Sequence, residues 1–472
     1  MPQARRTLSL WDFFNLGFGA IVGSSWLLLV GDWMVQGGGP TAVVVASLLG
    51  MILMAPIACV FAELATARPK SGGVLEFVER THGRRMSSLV GWAMILGSGV
   101  VAMWDSLVLS VIISQVLGGM PAFAWLNAVR LYRVAGTDIY LLPALLADLV
   151  VLYVGHLNLD RPQDSARLQL VLSYVQLAGM LVVLGVAALR GSPDNALPAF
   201  ASLSGASVSG ADPPASLGMG VMSMLCVTPF FYAGFSTIPQ RSEEAAEGVN
   251  WNKFGKVIAM TLVASAGFYI IDTYAFGTMV PWTEFVARPL TAIRTLGELA
   301  PRVMPLMLVV ALLCPIGPMN SFVGATGYSL LALARMGQLS QGLAQVDPLT
   351  GVPRDAIRQA VGVALVGPFL GAGVLAPLSK VSAFAFCFAY LVVSLSCLRM
   401  RKLDPTMPRP FHVLGGRMGV LAACVASGIC MALLAVPLTP SSFSAAEWAI
   451  VLAWALLWLV ISLEGDGRRS RA

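Results

Sequence analysis

Long apolar runs recur along the whole 472-residue chain, and no polar domain separates them. Charged residues make up only 11% of the sequence and hydrophobic residues 57%, whereas soluble domains carry roughly a quarter charged residues. A bilayer core of about 30 Å is crossed by roughly 20 apolar residues in a helix. Because lipid offers no hydrogen bonds to the backbone, these runs predict an all-α, multi-pass membrane protein.

Twelve of the runs are long enough to be transmembrane helices, and they predict a single membrane domain over residues 1–472. The boundaries follow the polar residues and turn formers between the runs. The predicted spans are 11–35, 41–66, 87–118, 138–155, 167–189, 216–241, 254–280, 301–335, 356–376, 380–399, 417–437 and 446–463.

The basic residues predict the orientation. Most of the 30 Lys and Arg residues fall on one side of these spans if the N-terminus is cytoplasmic, and cytoplasmic loops carry such an excess. We therefore predict an inner or plasma membrane protein with both termini in the cytoplasm. The same bias accounts for the net charge of +6 without a nucleic-acid partner. The exceptions, on the opposite side, are Arg130, Arg133, Arg190, Arg288, Arg294, Arg302 and Lys380.

The first and sixth spans are interrupted near their middles by small and polar residues. Paired interrupted helices at corresponding places in two halves indicate the binding site of a secondary transporter. Two halves of five helices each must have opposite orientations. This predicts an inverted repeat, over about 11–190 and 216–400, with the spans in 417–463 outside it. The interrupting residues are Gly17, Gly19, Gly23, Ser24 and Ser25, then Gly234, Ser236, Thr237 and Pro239.

Five blocks in the chain resemble the amino acid-polyamine-organocation (APC) transporter superfamily. The first is the Gly-Ala-Ile-Val-Gly-Ser-Ser-Trp run at 19–26, followed by Gly-Gly-Pro at 38–40. The resemblance implies a leucine-transporter-like fold with alternating access and an amino acid or related amine as substrate. The other blocks are 61–73, 234–245, 332–339 and 408–411.

The resemblance also implies a binding site at the two interruptions. Gly23 and the amides of Ser24, Ser25 and Trp26 would hold a substrate carboxylate, since the amino end of a helix attracts anions. This chain departs from the family pattern at Ser25, where a glycine is usual, and at the bulky Trp26. The carbonyls of Ile21, Phe230 and Ala233 would take the amine. The ring of Phe230 would cap the pocket and that of Phe322 would face it, and Gly234 belongs to the same predicted site.

Four aspartates lie inside predicted spans, where ionisable groups are costly and usually functional. Asp105 on the third span is the strongest candidate, either to bind a cationic group of the substrate or to relay protons. Asp32 and Asp148 lie closer to span ends. No role for Asp272 follows from the sequence.

The coupling ion is left open between sodium, a proton and uncoupled exchange. Ser321 on the eighth span, the backbone near Ala20 and Gln176 on the fifth span match positions implied by the resemblance to surround a coupling cation. We predict no metal centre and no other cofactor. The partners are the small-molecule substrate and the lipid bilayer, and no oligomeric state is indicated.

Three alternatives remain beside an amino acid transporter. A polyamine or organic cation carrier is favoured if Asp105 and Asp32 both face the site. A non-transporting sensor on the same scaffold would bind substrate without moving it. A membrane enzyme would require convergent catalytic groups, and the sequence offers scattered aspartates instead, so we predict that the chain is not an enzyme.

Overall fold

The computed structural model describes residues 8–70, 72–160, 162–203, 213–287, 290–437 and 441–469, and most of them are helical. The predicted cytoplasmic tails include 1–7 and 470–472, which lie outside these ranges. The α-helices are α1 (Leu10–Ile21), α2 (Ser25–Leu28), α3 (Val30–Gly37), α4 (Pro40–Ala67), α5 (Gly73–His82), α6 (Arg84–Val111), α7 (Leu141–Asp160), α8 (Pro162–Arg190), α9 (Leu217–Tyr232), α10 (Thr237–Gln240), α11 (Trp251–Met279), α12 (Trp282–Phe285), α13 (Thr291–Leu299), α14 (Met304–Leu313), α15 (Ile316–Arg335), α16 (Arg354–Ala364), α17 (Leu375–Leu403), α18 (Gly416–Ala435) and α19 (Ala445–Arg469).

A short antiparallel hairpin lies between α6 and α7, formed by β1 (Arg130–Val134) and β2 (Thr137–Tyr140). Its turn places Ala135 and Gly136 at positive φ, 46° and 80°, as a two-residue hairpin turn requires. The Tyr132 hydroxyl donates a hydrogen bond of 2.8 Å to the Phe369 carbonyl. The hairpin, which the sequence analysis did not predict, therefore packs on the turns that follow α16.

Within the described ranges, ten helices are long and apolar enough to cross a membrane. An eleventh span results if the pair Leu10–Leu28 and Val30–Gly37, bent by 76°, counts as one. The predicted span 356–376 instead contains the short α16 and two 3-10 turns, since Pro368 lacks an amide donor and Gly371 has φ 81°. The helical multi-pass membrane architecture is confirmed, while twelve spans and the five-plus-five repeat stay predictions.

The helices differ in how much protein surrounds them. Of the 18 most apolar consecutive residues in each helix, 83% are buried in Leu217–Gln240 and 78% in Arg84–Leu117, but only 6% in Ala445–Ser462. The exposed apolar side chains of α19 suit a lipid environment. The helices α6 and α9 therefore lie in the interior of the bundle, where they can line a site.

A buried ion cluster ties α4 to α17 and to the loop before α18. Glu63 is fully buried and accepts hydrogen bonds from Arg401, 3.0 Å from Nε and 2.5 Å from Nη2. It also accepts the Val413 amide at 2.8 Å, and Arg409 Nε lies 3.5 Å away. Both oxygens of the carboxylate thus hold groups from distant parts of the chain.

We expect Glu63→Gln to lower the free energy of unfolding by about 1 to 3 kcal/mol, because buried partners lose a charged acceptor. The measurement is thermal unfolding of the purified protein in detergent. Glu76→Gln is the matched control, since Glu76 pairs with Arg68 and Arg80 at a partly exposed position where ion pairs contribute little. Equal unfolding temperatures for the two variants would contradict the expected role of Glu63.

Candidate functional site

Both spans that the sequence predicts to be interrupted are broken. The helix α1 ends at Ile21 and α2 begins at Ser25. The helix α9 ends at Tyr232 and is followed by a 3-10 turn, Ala233–Ser236, and by α10. Pro229 inside α9 has no amide hydrogen to donate to the Leu225 carbonyl. The Thr228 hydroxyl donates to that carbonyl instead, at 2.9 Å. A side chain thus supplies the hydrogen bond that the proline cannot make.

The two interruptions meet in direct backbone contact. A Cβ added at Gly234 would lie 2.6 Å from the Ala20 carbonyl carbon and 2.6 Å from the Ile21 amide nitrogen. Carbon atoms cannot approach backbone this closely, so only glycine fits there. The contact brings Ala20, Ile21, Ala233 and Gly234, predicted from separate halves of the chain, to one place.

Asp105 lies beside the first interruption. A Cβ on Gly23 would be 3.6 Å from Asp105 Oδ1 and 2.7 Å from Cγ of Pro318 on α15. The Asp105 side chain is 2% exposed, and its Oδ2 has no hydrogen-bond partner among the described residues. A buried carboxylate of this kind is costly unless a proton or a cation accompanies it. The geometry therefore makes Asp105 an acceptor available to a ligand.

The backbone carbonyls expected to bind an amine already have partners. The Tyr269 hydroxyl of α11 donates to the Ile21 carbonyl at 2.5 Å. The Ser236 hydroxyl donates to the Ala233 carbonyl at 2.8 Å, and the Phe230 carbonyl accepts the Ala233 amide. Each carbonyl retains one further lone pair, but Asp105 is the less committed acceptor.

Tyr269 is a site residue that the sequence analysis missed. Besides its bond to Ile21, its hydroxyl lies 3.4 Å from Ser25 Oγ, so it touches both sides of the interruption. The only sequence signal is its spacing of three from Asp272, which places the two on one helix face.

The side chains expected near a substrate carboxylate point in different directions. Ser24 Oγ is buried and has no partner within the described part of the chain. Trp26 is fully buried in an edge-to-face contact with Phe268, at 5.4 Å between ring centroids, and its Cη2 lies 3.3 Å from where a Cβ on Gly179 would be. Trp26 therefore fills the space between α8 and α11.

An aromatic cluster surrounds Phe230, just before the second interruption. Phe230 makes edge contacts with Trp104 and Phe231, at centroid distances of 5.4 and 5.3 Å. Trp33 continues the cluster through Phe231 at 5.0 Å. Ring faces of this kind attract cations. Phe322, by contrast, packs against Phe386 of α17 at 6.2 Å.

The α1–α15 interface holds the predicted coupling position. Ser321 Oγ donates to the Leu16 carbonyl at 3.1 Å and lies 3.4 Å from Gln169 Oε1. Gln169 Nε2 is only 1.8 Å from where a Cβ on Gly19 would be and 3.2 Å from a Cβ on Gly317. The amide of Gln169 thus fills the space between the two helices.

Gln176, the candidate from the fifth span, lies about two helical turns from Gln169 on α8. Its Nε2 is 3.5 Å from the Cys314 carbonyl, between α14 and α15. Ala20 is buried against Gly234, as described above. The structure brings Gln169 rather than Gln176 to Ser321, and the coupling role of Gln176 stays a prediction.

The remaining intramembrane aspartates differ in environment. Asp272 is fully buried, and neither of its oxygens has a hydrogen-bond partner in the described ranges. Asp32 is buried and has an interaction partner. Asp148 on α7 is half-buried. Among the residues that the structure describes, no group of His, Cys, Asp and Glu could hold a metal ion.

A multi-pass helical bundle in which two broken helices meet beside a buried carboxylate is the architecture of a membrane transport protein. The amino acid permease family matches residues 8–461, and the chain belongs to this family. The resemblance to the APC superfamily is therefore confirmed. Because the family consists of transporters, the prediction that the chain is not an enzyme is confirmed as well.

Several known transporters are similar to this chain over most of their own length. The methylthioribose transporter of Bacillus subtilis is 24% identical over 90% of this chain and 87% of the relative. The branched-chain amino acid permease BcaP of the same organism is 24% identical over 87% and 84%. Its aspartate-proton symporter is 23% identical over 87% and 76%. The substrates in these names differ from one relative to the next, so the similarity to these relatives supports amino acid transport without selecting one substrate.

Proposed function

We propose that the protein is a secondary transporter or exchanger that moves an amino acid or a related amine across the cell membrane by alternating access. The backbone contact between the two interruptions, at Gly234, Ala20 and Ile21, carries this proposal. Broken helices that meet in mid-bundle place free backbone groups where a ligand can use them. Relatives that carry branched-chain amino acids and aspartate support the substrate class.

The proposed layout is twelve spans with cytoplasmic termini in the inner or plasma membrane. The first repeat covers about 11–190, the second about 216–400, and the two spans in 417–463 stand outside. Because each repeat has five spans, the two repeats have opposite orientations. The broken helices are the first and sixth spans, and each is therefore the first of its repeat. Rocking of one group of helices about the contact at Gly234 would then open the site to either side.

In this site Asp105 takes the role of amine acceptor. It is buried, borders Gly23 and has an oxygen that nothing in the described chain satisfies. Phe230 covers the amine with its ring. The hydroxyls and amides of Ser24 and Ser25 hold a carboxylate where the substrate has one.

A polyamine or organic cation is the second candidate substrate. The occupied carbonyls of Ile21 and Ala233 favour it, because they leave a carboxylate rather than neutral dipoles to recognise the amine. A cation without a carboxyl group would need nothing from Ser24 and Ser25. The two candidates therefore predict different substrates for the same Asp105.

The test is uptake of radiolabelled leucine, arginine and putrescine into proteoliposomes, with thermal stabilisation by each compound measured in parallel. Saturable uptake of leucine or arginine supports amino acid transport. Uptake of putrescine alone supports the second candidate. Stabilisation without uptake of any compound would show a sensor and overturn the proposed transport.

We expect uptake to be independent of sodium. Sodium requires several oxygen ligands, as hard cations do, and the amide of Gln169 fills the space beside Ser321 where such oxygens would gather. The measurement is the initial rate of uptake with external sodium replaced by N-methyl-D-glucamine. A saturable dependence on sodium would contradict this assignment.

A further inference from the structure

Asp272 is a buried acid that the substrate site does not use. It lies in the last third of α11, is fully buried, and both of its oxygens lack hydrogen-bond partners in the described chain. No described Lys or Arg forms an ion pair with it. An ionised carboxylate in such a place would be strongly destabilising. In this conformation the side chain is therefore a neutral carboxylic acid.

Other unsatisfied polar atoms gather around the same point. Trp26 packs on Phe268, one helical turn before Asp272 on α11. Gln176 Nε2 lies 3.5 Å from the Cys314 carbonyl at the α14–α15 junction. Trp26 Nε1 and Gln176 Oε1 have no hydrogen-bond partner among the described residues. Polar groups from α2, α8, α11 and the α14–α15 junction thus share one buried cluster, which we call the Asp272 cluster.

The donors in the Asp272 cluster indicate a proton rather than a metal cation. The indole N–H of Trp26 and the thiol of Cys314 are donors, and they would repel sodium. Gln176 already directs its Nε2 toward the Cys314 carbonyl. Donors of this kind stabilise a carboxylate once its proton has left.

Tyr269 links the Asp272 cluster to the first interruption. It lies one turn before Asp272 on α11 and donates to the Ile21 carbonyl at 2.5 Å. Its hydroxyl also lies 3.4 Å from Ser25 Oγ, and its ring lies 6.0 Å from that of Tyr232. The other titratable side chains of this part of the described chain are Asp105 beside Gly23 and Cys314 at the α14–α15 junction. Tyr269 therefore connects the helical turn that carries Asp272 to the contact between the two broken helices.

We propose that Asp272 carries the proton that couples transport to the proton gradient, an inference that rests on the proposed transport function. Asp272 is protonated while α2 packs over it. When α2 moves away from α11 during the cycle, water reaches the acid, the O–H bond breaks, and the proton leaves as hydronium. The aspartate is reprotonated from the other side of the membrane before the helices close again.

Asp272→Asn, which mimics the neutral acid, separates coupling from substrate movement. In proteoliposomes we expect exchange of internal for external leucine or arginine to persist in this variant. Uphill accumulation driven by an imposed pH gradient should be lost, and the pH dependence of exchange should flatten. Asp148→Asn on the half-buried α7 position is the matched control and should keep both activities.

Infrared spectroscopy supplies a readout that needs no substrate. At neutral pH the wild-type protein should show carboxylic acid C=O absorption that is reduced in Asp272→Asn and retained in Asp148→Asn. Such a band without any uptake in the wild type would leave the buried acid intact and refute the proposed transport function instead.

Two results would overturn the role of Asp272. One is proton-driven accumulation in Asp272→Asn with the wild-type pH profile. The other is loss of exchange together with accumulation in a variant whose unfolding temperature is unchanged, which would make Asp272 necessary for substrate movement rather than for coupling. Asp272→Glu, which restores a titratable group, should recover part of the accumulation.

Discussion

Asp105→Asn is expected to weaken binding of an amine substrate at least about 30-fold, because losing one partner of a buried charge pair costs about 2 kcal/mol or more. Asparagine has nearly the same shape, so the contact with Gly23 and the packing of Trp104 on Phe230 are preserved. What disappears is the negative charge opposite the amine. Uptake should therefore fall to background at substrate concentrations that suffice for the wild type.

The measurements for Asp105→Asn are uptake in proteoliposomes and thermal stabilisation by leucine, arginine and putrescine. Asp148→Asn removes the same charge at a half-buried position of α7 and should behave like the wild type. The unliganded unfolding temperature of Asp105→Asn should not fall, since a neutral amide of nearly the same shape replaces a buried carboxyl group that has an unpartnered oxygen. Wild-type uptake in Asp105→Asn would reduce Asp105 to a structural residue.

Gly234→Ala is expected to abolish most transport and to lower the unfolding temperature. The new Cβ would lie 2.6 Å from backbone atoms of Ala20 and Ile21, and backbone cannot move aside as a side chain can. Overpacking of a tight interior costs about 1 to 3 kcal/mol. Because the clash separates the two interruptions, activity should suffer more than stability.

Gly267→Ala is the matched control for this substitution. Gly267 lies on α11, and a Cβ added there would meet no atom within 4 Å. Alanine at a helical position is expected to stabilise by about 0.4 to 1 kcal/mol. The comparison uses uptake and thermal unfolding of both variants. Equal transport in Gly234→Ala and the wild type would show that the two broken helices need not touch.

Much of this architecture is readable from the sequence because membranes leave the chain few choices. Apolar runs of sufficient length must be helices, which correctly predicted most spans. The interruptions were predictable from Gly23 and the residues around Gly234, since glycine and polar residues are tolerated in mid-membrane only for a reason. The hairpin between α6 and α7 was not, because a short exposed segment carries no comparable constraint.

The placement of side chains within the site was less predictable. Gln169 and Gln176 lie on one face of α8, seven residues apart, and either could have reached the eighth span. The relative height of α8 and α15 decides the question, and it places Gln169 beside Ser321. The relative position of two packed helices along their axes leaves no trace in local sequence patterns.

Sequence alone was sufficient for the membrane class, the helix interruptions and the family, because each depends on local composition or on motifs carried along the chain. Tertiary packing alone decided that Tyr269 occupies the Ile21 carbonyl and that Asp105 borders Gly23. It also left Asp272 without a partner in the described chain. These contacts join residues far apart in the chain, and their geometry depends on how whole helices pack rather than on any neighbouring residue.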